Sequence, residues 1–159
     1  EAFESVTRIR SDWADAFVNL GVSYWQLGDR ETAAQAFEMA HATEPRSPEI
    51  LRAMAGLALE NKDLKRAEEV EAKLTELGEP TAELLYNIGL LGQKAGQHQE
   101  ATKFYRQALV QKPQFSEALI NLGHALRATG DEQEARKCWR QAVEVDPQLA
   151  DTYFAKMQR

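Results

Sequence analysis

The chain has a single cysteine, Cys138, in 159 residues. A lone thiol closes no internal disulfide, so the fold depends on no oxidising compartment. That is compatible with the cytoplasm and leaves the periplasm or secretion open. No apolar run approaches the roughly 18 residues that a helical membrane span requires, so membrane insertion is not expected. Basic charge is in short supply: 19 Lys and Arg against 25 Asp and Glu leave a net charge of −6 and a pI of about 5.2. A nucleic-acid binder neutralises phosphates with a basic face, and none is visible. Catalytic constellations are missing as well. His41, His98 and His124 have no Cys or carboxylate at ligand spacing, and they read as surface residues. Cys138 stands beside Trp139 on a packed helix and reads as a buried, inert thiol. The glycines form no phosphate-cradling loop. The expectation is a non-catalytic chain with no metal and no cofactor.

What the chain does have is a period. Ala14, Pro48, Ala82, Ser116 and Ala150 lie 34 residues apart and open similar phrases. Four units follow without insertion or deletion: 14–47, 48–81, 82–115 and 116–149. The eighth place of each is Gly21, Ala55, Gly89 and Gly123; the twentieth is Ala33, Ala67, Ala101 and Ala135. Within a unit, Phe17, Leu20, Gly21 and Tyr24 recur at spacings of three and four, one face of a helix. Gly28 follows where a helix end favours positive φ. Ala33, Ala36, Phe37 and Ala40 form the face of a second helix, which Pro45 stops. The same reading gives helices near 48–61, 64–77, 82–95, 98–111, 116–129, 132–145 and 150–158. Small residues at the eighth and twentieth places let paired helices approach to about 8 Å.

Leu20-Gly21, Tyr24, Gly28-Asp29, Ala33, Phe37, Ala40 and Pro45 resemble the tetratricopeptide repeat family. So do Leu122-Gly123, Gly130-Asp131, Ala135, Trp139, Ala142 and Pro147. The resemblance implies an all-α, right-handed α-solenoid of helix–turn–helix repeats that serves as a protein-binding scaffold. Residues 1–13 read as the second helix of a preceding repeat, with Phe3, Val6 and Ser11 at the places of Phe37, Ala40 and Pro45. Residues 150–159 read as a capping helix or the first helix of a next repeat. The whole is expected to be part of a longer array.

The second unit departs from the pattern. Glu71 replaces the aromatic of Phe37, Tyr105 and Trp139; Lys62 replaces the turn glycine; Glu79 replaces the stop proline. Leu74 stands for Ala40, Ala108 and Ala142 and refills part of the lost volume. Gly92 adds to the shortage of buried surface at the junction of units two and three, which is expected to be a hinge, with Glu71 partly exposed. Trp13, Phe115 and Leu149 share one place and read as packing between units.

In this family the first helices line the concave side. The inward places carry Asn19, Val22, Trp25, Arg52, Leu59, Tyr86, Asn87, Leu90, Lys94, Ile120, Asn121, His124, Arg127 and Phe154. A contiguous apolar surface of this kind marks an interaction site. Asn19, Asn87 and Asn121 share the sixth place, and an amide can pair with the C=O and N–H of an extended peptide. They resemble the asparagine ladder of the O-linked N-acetylglucosamine transferase repeats, broken here by Ala53; bonding to a neighbouring helix is the alternative use. Trp25 reads equally as a groove anchor or as packing on Phe3 and Val6. The carboxylate clamp of chaperone adaptors does not fit, because Val18 and Val22 stand where Lys and Asn belong. Asp15, Glu49, Glu83, Glu117 and Asp151 recur at the second place. There they suit the helix dipole and also form an acidic rim suited to a basic partner. The expected function is a scaffold whose four-unit groove holds roughly ten extended residues of a partner, at about 3.3 Å each. The alternatives are end-to-end homo-oligomerisation and recruitment of substrate for an enzyme elsewhere in a larger chain.

Overall fold

The computed structural model describes the backbone of residues 2–149 and the side chains of 12–149. Phe154, Asp151 and the helix expected at 150–158 lie outside these residues, as do the side chains of Phe3 and Val6. Eight α-helices and no strand are found among the described residues: α1 (Ala2–Gln26), α2 (Arg30–Thr43), α3 (Pro48–Glu60), α4 (Leu64–Glu76), α5 (Ala82–Lys94), α6 (His98–Gln111), α7 (Ser116–Ala128) and α8 (Glu132–Val145). The chain divides into two compact units, Glu1–Glu79 and Pro80–Arg159, each built of consecutive helix–turn–helix pairs.

One helix boundary differs from expectation. α1 runs without a break from Ala2 to Gln26, where the repeat pattern places a stop near Ser11. The other units reach that place with Pro45 or Pro113, or with Gly78 just before it. Ser11-Asp12-Trp13 contains neither proline nor glycine, so nothing in it opposes continued helix.

The turns inside each pair share one geometry. Gly28, Lys62, Gly96 and Gly130 have φ of 83°, 58°, 80° and 93°, the left-handed region. The next residue closes the helix with a long backbone bond: Asp29 N–H to Tyr24 O, Asp63 to Ala58, Gln97 to Gly92 and Asp131 to Leu126, all at 2.9 Å. This pattern satisfies carbonyls that the helix end leaves without partners. The closing residue is also the N-cap of the following helix. Asp29, Asp63 and Asp131 accept from the backbone N–H of Thr32, Arg66 and Glu134 through their carboxylates; Gln97 makes no such bond. Lys62 therefore adopts a conformation that glycine would adopt without steric cost.

The core repeats as well. Phe37 and Tyr105 are fully buried and Trp139 is 7% exposed, each facing the eighth-place glycine of its own repeat. A Cβ on Gly21 would lie 2.6 Å from Phe37, one on Gly89 2.8 Å from Tyr105, and one on Gly123 2.2 Å from Trp139. Glycine is required here for close approach, not for its φ. In the second repeat both partners change: Ala55 stands for the glycine and Glu71 for the ring.

Glu71 is not partly exposed, as the loss of its aromatic suggested; it is 6% exposed. Its carboxylate accepts a hydrogen bond from the Thr75 hydroxyl at 2.6 Å, one helical turn on, which makes burial tolerable. Leu74 is fully buried, like the alanines at its place in the other repeats. α4 ends without proline: Gly78, at φ 75°, lets Glu79 N–H reach Leu74 O at 2.8 Å. Trp13 also differs from expectation. It is 61% exposed and touches Phe17 edge-on at 6.4 Å, while Phe115 of the same place is buried.

Candidate functional site

In the first unit, Asn19 is exposed and Val22 and Leu59 are half-buried. Among the described residues, Trp25 packs on Phe37 of its own repeat and on Gly56 of the following one. Its ring meets Phe37 edge-on at 6.1 Å, and a Cβ on Gly56 would lie 3.0 Å from its far edge. Its indole N–H donates to Glu60, which also accepts from Arg30. Those bonds, Arg30 first, hold the Glu60 carboxyl below the usual carboxylate range. Arg52 is exposed but paired: it reaches Glu79, the residue that replaced the stop proline. Gly56 and Glu60, on α3, and Glu79, past the end of α4, escape a reading of one helix at a time, because they are recognisable only as partners of residues far off in sequence.

In the second unit, α5 and α7 supply the predicted residues. Tyr86 is half-buried, its ring centroid 4.9 Å from Phe115 and 5.9 Å from Tyr105. Asn121 donates from its amide to the Tyr86 hydroxyl at 3.0 Å and to the Glu117 carbonyl at 3.1 Å. Its donors are thus used within the protein, joining α7 to α5. Asn87 is exposed and makes no hydrogen bond with a described residue. Leu90 is half-buried beside it, and Lys94 is exposed at the end of α5. Ile120 departs from its expected place at the surface: it is 5% exposed and packs with Leu119 and Ala142. Its carbonyl accepts from the Trp139 indole at 3.2 Å.

Trp139 is the feature the sequence reading left out of the site. His124 lies 5.4 Å from its ring centroid, and the Arg127 guanidinium lies over the ring at 5.2 Å. Burial, then the Arg127 charge, lowers the pKa of His124. His124 is half-buried, and so are His41 and His98, in place of the surface positions expected. Lys73 contacts His41 at 2.9 Å. Cys138 is buried, and burial pushes its thiol pKa up, away from the reactive thiolate.

Three carboxylates of the acidic rim are hydrogen-bonded within the protein. Glu83 accepts from Lys112 at 3.1 Å, Glu49 from the Ser47 hydroxyl and Glu117 from the Ser116 hydroxyl, each at 3.1 Å. These contacts lie at first helical turns, where the dipole also favours carboxylates.

What the two units define is a helical-repeat fold whose faces are built to present side chains. The chain belongs to the tetratricopeptide repeat family, whose profiles match residues 18–80 and 93–159. No curated protein matches it in sequence. Among solved structures it is similar to MamA, at 21% identity over 94% of this chain and 88% of that one, with a TM-score of 0.74. It is also similar to YrrB, described as a TPR protein with an unusual peptide-binding site, at 21% identity over 100% of this chain and 86% of that one, TM-score 0.72. These likenesses establish the fold.

Proposed function

We propose that this chain is a non-catalytic protein-interaction module that binds an extended peptide segment of a partner on the α5–α7 face of its second unit. The observation that carries the reading is the Tyr86–Asn121 hydrogen bond with Asn87 exposed beside it. Tyr86 and Asn121 fix each other, so little ordering entropy remains to be lost on binding. Asn87 presents an amide donor and an acceptor to peptide backbone, and Leu90 presents an apolar surface next to it. The described binding site of YrrB supports the same use of this fold. In this reading Asn121 positions Tyr86 and Asn87 touches the ligand.

The test is selection from a library of random decapeptides displayed on phage, followed by fluorescence anisotropy. Asn87→Ala is expected to weaken a selected peptide by about three- to tenfold, the worth of one or two backbone bonds, with unchanged helicity. Peptides that bind Asn87→Ala as tightly as the parent refute the site.

A second reading, association between copies, is favoured by α1. Trp13 and Leu20 are 61% and 43% exposed there, and Leu27, just past its end, is 80% exposed. Light scattering would then show a dimer that Trp13→Glu abolishes; a monomer at all concentrations refutes it.

A further inference from the structure

The charges left over on the proposed face indicate which partner it fits. Glu83 is paired with Lys112, whereas Glu117 accepts only from the neutral Ser116 hydroxyl and keeps its charge. Lys94 and Arg127, at the opposite ends of α5 and α7, form no ion pair with a described residue. Both are exposed, and Arg127 is held by the Trp139 ring, which fixes its position without neutralising it. Glu83, Asn87, Leu90 and Lys94 fall at helical spacings of four, three and four on α5. Glu117, Asn121, His124 and Arg127 follow at four, three and three on α7. Each stripe therefore runs from a hydrogen-bonded carboxylate, through amide and apolar or aromatic-backed groups, to an unpaired cation. The chain as a whole carries −6, yet the far end of each stripe is an exposed cation.

We infer that the segment bound on the α5–α7 face carries an Asp or Glu side chain, seated against Lys94 and Arg127. This rests on the peptide-binding reading above and reverses the expectation of a basic partner. A carboxylate at this position would be bonded by the flat guanidinium fork of Arg127 and attracted by Lys94. It would also lie at the helix C-termini, where carbonyls repel it, so the two cations must supply the attraction.

The decapeptide library above separates the possibilities when each peptide is fused through its C-terminus, leaving no free terminal carboxylate. Selected sequences are expected to be enriched in Asp and Glu, with the enrichment lost against Lys94→Gln/Arg127→Gln. One selected peptide is then made acetylated and amidated. Changing its acidic residue to the amide is expected to weaken binding by about two- to fivefold, the size of exposed charge pairs. In the Lys94→Gln/Arg127→Gln background the same change should cost less than about twofold. Lys94→Gln alone should show part of the effect, and it leaves the Trp139 contact intact. Selection of Lys- or Arg-rich peptides, or of peptides with no charge bias, overturns this inference. If those peptides still lose affinity to Asn87→Ala, the peptide site itself stands. Selected peptides indifferent to Asn87→Ala sink both. Equal binding by a neutral peptide with a free C-terminus assigns the cations to a chain end and overturns the side-chain assignment.

Discussion

Adding one methyl group at Gly123 tests whether the repeats are held by close approach of glycine to an aromatic ring. Alanine is the better helix former by about 1 kcal/mol, so Gly123→Ala would stabilise an open helix. Here the new Cβ would lie 2.2 Å from Trp139 Nε1 and 2.6 Å from Cδ1. The indole is rigid, 7% exposed, and bonded to the Ile120 carbonyl at 3.2 Å. Relief needs the ring to move, which costs about 1–3 kcal/mol in packing and about 0.5–1.5 for the hydrogen bond. Subtracting the propensity gain leaves a net loss of about 2 kcal/mol. Urea unfolding followed by circular dichroism reads it directly. Gly89→Ala, at 2.8 Å from Tyr105, should cost less. Trp139→Leu removes the obstacle, so Gly123→Ala in that background should cost at least about 1 kcal/mol less than alone. If Gly123→Ala is as stable as the parent, or its cost is unchanged by Trp139→Leu, the packing argument is wrong.

Lys62→Gly should stabilise by about 0.5–1 kcal/mol in the same assay, because the left-handed penalty of about 1–2 kcal/mol exceeds the extra unfolded-state entropy of glycine. Gln97→Asp should add about 1 kcal/mol by supplying the cap that Asp29, Asp63 and Asp131 provide at the matching place; no gain would mean that water already satisfies α6. Glu71→Phe should destabilise against the Ala55 methyl, and Ala55→Gly should recover at least about 1 kcal/mol in that background; additive effects would deny the pairing. His41 and His124 have pKa values lowered chiefly by burial. The unfolded chain therefore binds more protons below its ordinary histidine pKa of about 6.5, and stability should fall as pH drops from about 7 toward the folded values. His41→Gln/His124→Gln should flatten that slope, and an unchanged slope would assign it to the carboxylates.

The helices, their register and the left-handed turn were legible because each signal occurs four times at a fixed spacing, so local ambiguity in one copy is settled by the others. Gly28 predicts the turn, and Lys62 adopts it with φ 58° despite its side chain, since the closing bond of Asp63 and its cap on α4 hold the geometry. What escaped was set by contacts between elements far apart in the sequence. Trp25 finds Gly56 and Glu60 on the next first helix, and Arg52 finds Glu79 27 positions away. The partner of Glu83 is not apparent from its own helix because Lys112, 29 positions away, caps the end of α6. α1 was divided by analogy with copies that carry a stop signal, and Ser11 carries none.

One relation was present in the sequence and needed the structure to give it meaning. The eighth place reads Gly, Ala, Gly, Gly, and the twenty-fourth reads Phe, Glu, Tyr, Trp. The one alanine accompanies the one residue without a ring. Read singly, Glu71 is a defect that should be driven toward solvent by its charge. Read with Ala55, it is half of an exchange in which a methyl group enters where the ring leaves. Leu74 is fully buried, and the Thr75 hydroxyl satisfies the carboxylate. The divergent repeat thus keeps a closed core with different parts, and substitutions at Ala55 or Glu71 should be judged as a pair.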